Sequence, residues 1–148
     1  MRKKGILGAV AAIMAFGLFG APAASATVVN DGSDPIGTGC VQGAYVVSSW
    51  PMVNQKYNQV QGQMQLVYSP VCQTNWINVY GNVSGNEYAG SIFVGTVPQS
   101  GQHAVVYNIG SDYSNQVNAP GSTCVTVGSN IFDIATGAVE GNDSRVFC

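Results

Sequence analysis

The chain has 148 residues, 46% of them hydrophobic and only 8% charged, with a formal net charge of −2. That length fits one domain with a real core. The scarcity of Lys and Arg excludes nucleic acid as a partner, because most of that affinity comes from neutralising phosphates, and the aromatic and β-branched residues that recur throughout exclude a disordered chain.

Arg2, Lys3 and Lys4 precede an apolar run from Ile6 to Phe19, too short to span a bilayer but of the right length for the core of a secretory signal peptide. Gly20 and Pro22 break any helix there, and Ala24-Ser25-Ala26 supplies the small residues that signal peptidase requires. The reading is a signal peptide over 1–26, cleaved between Ala26 and Thr27, and a secreted, extracellular product with no membrane anchor. Cleavage removes three of the five bases and leaves Lys56 and Arg145 against seven acids, a net charge of −5. An anionic membrane surface is then as poor a partner as nucleic acid.

Residues 27–39, rich in Asp, Gly, Ser and Pro, read as an irregular lead-in to a single all-β domain over 40–148. Val41 to Val47 alternates as a strand, and Trp50-Pro51 is expected to close it, because proline cannot donate to a ladder. From Val60 to Tyr68 small or apolar residues alternate with glutamines, which predicts a strand with Val60, Met64, Leu66 and Tyr68 on one face and the glutamine face in water. Ser69-Pro70 turns the chain into Thr74 to Tyr80, with Trp76 and Tyr80 on one face and Ile77 and Val79 on the other. Gly81-Asn82 and Gly85-Asn86 punctuate a predicted hairpin into Tyr88–Thr96. Pro98 to Gly101 turns into His103–Ile109, short strands are expected at Ser122–Val127 and Ile131–Ala135, and Thr136-Gly137 reads as a hairpin tip returning through Val139. No stretch shows helical periodicity with caps. The sum is an all-β, small, disulfide-stapled antiparallel sandwich or barrel.

Cys40, Cys72, Cys124 and Cys148 make an even count in an exported chain and read as two disulfides. Three pairings exist. Cys40–Cys72 with Cys124–Cys148, which staples the first and last thirds separately, is favoured without being fixed by the sequence. A metal site would need clustered spacings such as Cys-x-x-Cys, and none occurs.

Asp31-Gly32-Ser33-Asp34-Pro35 leading to Gly39-Cys40, then Leu66-Val67-Tyr68-Ser69-Pro70-Val71-Cys72-Gln73-Thr74-Asn75-Trp76, and finally Tyr113-Ser114-Asn115-Gln116-Val117 resemble the small secreted YjfA-like family of Gram-positive bacteria, a domain of unknown function numbered 2690. The resemblance implies a fold group and no activity. It also implies arginines before Ser-Pro and after the tryptophan, where this chain has Val67 and Asn78. Read from the residues alone, Pro70 fixes a turn, Cys72 anchors it and Trp76 supplies a large core side chain.

The one histidine, His103, stands on a predicted strand without a recognisable nucleophile and acid, and there is no Gly-x-Ser-x-Gly elbow, His-Glu-x-x-His or phosphate-cradling loop. Glu87 and Glu140, with Asp112 and Asp133, are the carboxylates a glycosidase could pair. Asp31 with Asp34, and Glu140 with Asp143, could offer oxygens to Ca²⁺, though neither matches an EF-hand loop. The simpler reading makes all of these solvated loop residues, with no catalytic site, metal or cofactor. Trp50, Tyr57 and Trp76 are the candidate ligand contacts, able to stack on a sugar ring amid Asn and Gln that bond hydroxyls; the alternative is that they fill the core. A disulfide-held loop at Ser69–Gln73 has the form of an inhibitor's. The expectation is a non-enzymatic extracellular interaction or structural protein whose partner is another protein or an envelope polymer; a carbohydrate or cell-wall binding module and a small secreted hydrolase are the alternatives.

Overall fold

A computed structural model of the chain describes residues 31–95 and 101–148. The expected signal segment, its cleavage point at Ala26 and Thr27, the start of the lead-in, and residues 96–100, which include most of the expected turn, lie outside the described residues. Among the described residues nine strands follow in order: β1 (Tyr45–Asn54), β2 (Gln59–Ser69), β3 (Thr74–Gly81), β4 (Asn86–Val94), β5 (Gln102–Tyr107), β6 (Gly110–Tyr113), β7 (Val117–Asn118), β8 (Val125–Asp133) and β9 (Val139–Phe147). They form two antiparallel sheets. The first runs β1-β2-β3-β6, with β7 also on β3, and the second runs β5-β4-β8-β9.

Alternation of side chains decides how the sheets meet, because every second residue of a strand faces the same way. Trp50 and Met52 of β1, Met64 and Leu66 of β2, and Ile77 and Val79 of β3 point into the sandwich. There they meet Tyr88 and Ile92 of β4, Ala104 and Val106 of β5, and Val125, Val127 and Ile131 of β8 in one cluster. The buried Tyr88 ring lies flat on the first sheet. It can do so because Gly62 and Gly81 present bare backbone: a Cβ on either would fall 2.9 or 2.5 Å from ring carbons.

Several expected boundaries are corrected. β1 does not stop at Trp50-Pro51 but runs through it, as an edge strand, where a residue lacking N–H is tolerated. Gly81-Asn82 and Gly85-Asn86 do not close a hairpin. β3 pairs with β2, β6 and β7, while β4 pairs with β5 and β8, so the chain crosses between sheets here. The two short strands expected near the C-terminus are one strand, β8, and Thr136-Gly137 does form the tip of its hairpin with β9. In β2 the register shifts between Met52 and Val53 opposite Gly62 and Val60. That bulge turns Val60 out to solvent and buries Gln61, against the predicted facing of both.

The cysteines are paired Cys40–Cys72 and Cys124–Cys148. The first ties the lead-in to the β2–β3 turn, and the second ties the residue before β8 to the chain end after β9.

Candidate functional site

The first sheet has a second covered face. Val67 and Trp76 are cross-strand partners, buried yet outside the inter-sheet cluster, and the lead-in lies over them. Its mooring is Gln116, wholly buried. The Gln116 side-chain oxygen accepts from the Thr74 hydroxyl at 2.8 Å, and its nitrogen donates to Ser33 Oγ at 2.9 Å and Thr38 Oγ1 at 3.1 Å. The backbones join as well, Gly32 N–H donating to Gln116 O at 2.9 Å and Gln116 N–H to Ser33 O at 3.0 Å. Asn118 N–H donates to the Asp31 carboxylate. The three sequence blocks quoted above thus converge on one knot: the first is the strap, the second the turn to which Cys40 is bonded, and the third the strand segment that moors it.

The β2–β3 turn is closed on itself. Gln73 N–H donates to Ser69 O at 2.8 Å and Cys72 N–H to Ser69 Oγ at 3.3 Å, with Gln73 in the left-handed region at φ 56°. Through Cys72 this closed turn is also the point at which the strap is covalently anchored.

Beside the strap a trough opens across the outer face. One part, about 290 Å³, is lined mainly by apolar groups, among them Ile36, Val41, Tyr45 and Val46, with Trp76, Asn78 and Tyr113 on its floor and far wall. A second depression of about 260 Å³ shares Asn78 and Tyr113 and adds Tyr80, Ser111 and Asp112. The pairing that builds it is Gln65↔Asn78↔Tyr113 in one cross-strand row and Gln63↔Tyr80↔Ser111 in the next. Gln65 Oε1 accepts from Asn78 Nδ2 and from the Tyr80 hydroxyl, each at 3.3 Å, and Gln63 Nε2 donates to Ser49 Oγ at 2.8 Å. The polar lining is therefore fixed in orientation by its own neighbours. Partial burial raises the pKa of Tyr113 above the ordinary phenol value, and the charges of Asp34 and Asp112 add to it, so the Tyr113 hydroxyl is a neutral donor at physiological pH.

Of the three aromatics singled out in the sequence, the structure places two in the interior. Trp50 is 4% exposed and stacks on Phe147 with centroids 5.4 Å apart, and the Arg145 guanidinium lies 5.0 Å from its ring. Trp76 is 5% exposed and reaches the surface only as trough floor. Tyr57, 53% exposed, stands in the β1–β2 turn with the Lys56 ammonium over its ring at 4.8 Å. That turn is at the far end of β1 from Tyr45, so the three do not make one surface. Sequence reading missed Gln65, Asn78 and Tyr80 as a group. Their alternation with core residues was the available signal.

The carboxylates weighed for catalysis stand on four different strands. Glu140 on β9 has a side chain only 4% exposed; its Oε1 pairs with Lys56 Nζ at 2.9 Å and its Oε2 accepts from Asn54 Nδ2 at 2.6 Å. Asn54 in turn donates to Gln61, which also accepts from Asn86, so this polar knot joins β1 and β2 to β4 and β9. Asp112 Oδ2 accepts from Val105 N–H, Asp133 Oδ1 from the N–H and hydroxyl of Thr136, and Glu87 faces outward from β4. His103 is exposed on β5, opposite Ser91 of β4. Asp34 accepts from Ile36 N–H, and Asp143 pairs with Arg145 at 2.7 Å. Among the described residues no group of three or more His, Cys, Asp or Glu is placed to hold a metal ion.

Across residues 29–136 the chain matches the model of a family described as a protein of unknown function, DUF2690. No curated protein and no solved structure matches it.

Proposed function

Because the chain belongs to that family, whose description assigns no activity, we propose its role from its structure: an exported, non-enzymatic interaction domain that holds a partner against the outer face of its first sheet. The observation that carries the reading is the trough, an apolar wall continuous with a fixed amide-and-tyrosine floor. A scaffold spending a disulfide and a buried glutamine on positioning one strap beside that floor is organised around a surface. Export is supported by the basic and apolar leader and is compatible with two disulfides, which persist in oxidising compartments. Hydrolysis has less support, because three of the four carboxylates are bonded within the scaffold.

The test uses the tagged full chain expressed from its own leader. It is expected outside the cytoplasm, without the leader and with no free thiol, and to be retained by envelope fragments or by a component of the medium. Retention should fall in Tyr45→Ala/Tyr113→Ala and persist in Tyr57→Ala. Cytoplasmic protein with free thiols would sink the location, and retention indifferent to all three substitutions would sink the surface.

A further inference from the structure

Resting on that reading, we infer that the polar half of the trough is a binding site for a neutral polysaccharide chain, laid across the row Gln65, Asn78 and Tyr113 and against the ring of Tyr80.

Charge narrows the ligand first. Lys56 and Arg145 are the only Lys or Arg among the described residues, and each is engaged elsewhere, Lys56 with Glu140 at the β1–β2 turn and Arg145 with Asp143 beside Trp50. What borders the trough is acidic: Asp112 lines it and Asp34 stands beside Tyr113. A polyanion would meet carboxylates with no cation to offset them.

The lining, with Gln65 beside it on the neighbouring strand, then specifies what an uncharged chain must offer. Tyr113 is 37% exposed and Tyr80 half-buried, so both show ring surface to the C–H face of a pyranose while their hydroxyls remain polar. Gln65 Oε1 is committed to Asn78 Nδ2 and the Tyr80 hydroxyl. That leaves Gln65 Nε2 to donate and Asn78 Oδ1 to accept outside the network, the pair a vicinal diol needs, since each hydroxyl both donates and accepts. Because the amides are already held, little rotamer freedom is lost on binding. Neighbouring strands lie about 4.8 Å apart, so the three-strand row spans roughly 10 Å, the scale of a disaccharide.

The test is affinity electrophoresis of the full chain in gels containing soluble neutral polymers (hydroxyethyl cellulose, arabinoxylan, galactomannan or glycol chitin), with polygalacturonate as the anionic control. At least one neutral polymer should retard the protein. Tyr113→Ala and Gln65→Ala should each weaken that retardation by about fivefold or more in Kd, and Tyr57→Ala should leave it unchanged. Tyr80→Phe, which keeps the ring and removes the hydroxyl that donates to Gln65 Oε1, should fold as the parent does and still be retarded, the conservative check on folding. No retardation by any neutral polymer, retardation only by polygalacturonate, or retardation untouched by Tyr113→Ala and Gln65→Ala would overturn the inference. If neutral polymers fail while a secreted protein or basic peptide is still held in a Tyr45- and Tyr113-dependent way, the glycan falls and the interaction surface stands.

Discussion

Trp50 shows how one side chain can be read correctly for size and wrongly for place. At the expected end of a strand it stood as a candidate ligand contact, with the core as the alternative. The edge strand instead continues, and its alternation carries Trp50 inward against Phe147. Trp50→Ala should lower stability by about 3–5 kcal/mol, the range for emptying an aromatic site in a core, as measured by urea denaturation followed through the tyrosines. Asp133 makes a subtler contribution. The Thr136 N–H, then its hydroxyl, hold the Asp133 carboxyl below its ordinary value. A depressed folded value means the stabilisation is present in full above the unfolded aspartate value of about 3.9 and is lost as pH falls through the lower folded one. Asp133→Asn should therefore shift the urea midpoint at pH 7 and leave little difference from the parent at pH 2.

Strands with a period of two over most of their length were legible. β2 and β3 match their expected spans within a residue, because polar and apolar residues alternate through most of each, although the bulge at Gln61 reversed the facing expected at the start of β2. Where the local signal was ambiguous, tertiary pairing decided. Residues 128–130, left between two expected short strands, sit in a full ladder between β4 and β9. β6 and β7 have four and two residues and no apolar stripe, so nothing local could announce them. The trough was illegible for the same reason. Asn78 and Tyr113 are adjacent only because β6 returns to β3 after two strands of the other sheet. The strap is the element whose energetics can be isolated. Gln116→Ala removes its three side-chain bonds, to Thr74, Ser33 and Thr38. A loss of about 2–4 kcal/mol is expected, at about 1 kcal/mol or more per bond, together with faster amide exchange at Gly32, whose N–H bonds the Gln116 carbonyl. Unchanged exchange there would show that the disulfide alone holds the strap.

At the scale of the molecule, the disulfides close segments of 32 and 24 residues, each worth about 3–4 kcal/mol in the chain-entropy account. Reduction should lower the urea midpoint steeply. Cys40→Ser/Cys72→Ser should free the strap while the second sheet keeps its amide protection, and a uniform loss of protection across both sheets would contradict that division. Pro51 has a further consequence. A sandwich has open margins, and unpaired backbone along them is a template on which a second chain can add itself strand by strand. Here one margin carries a proline that cannot donate, and on another the Val105 N–H is already taken by the Asp112 carboxylate. Both features oppose strand-by-strand addition of a second copy at those two margins.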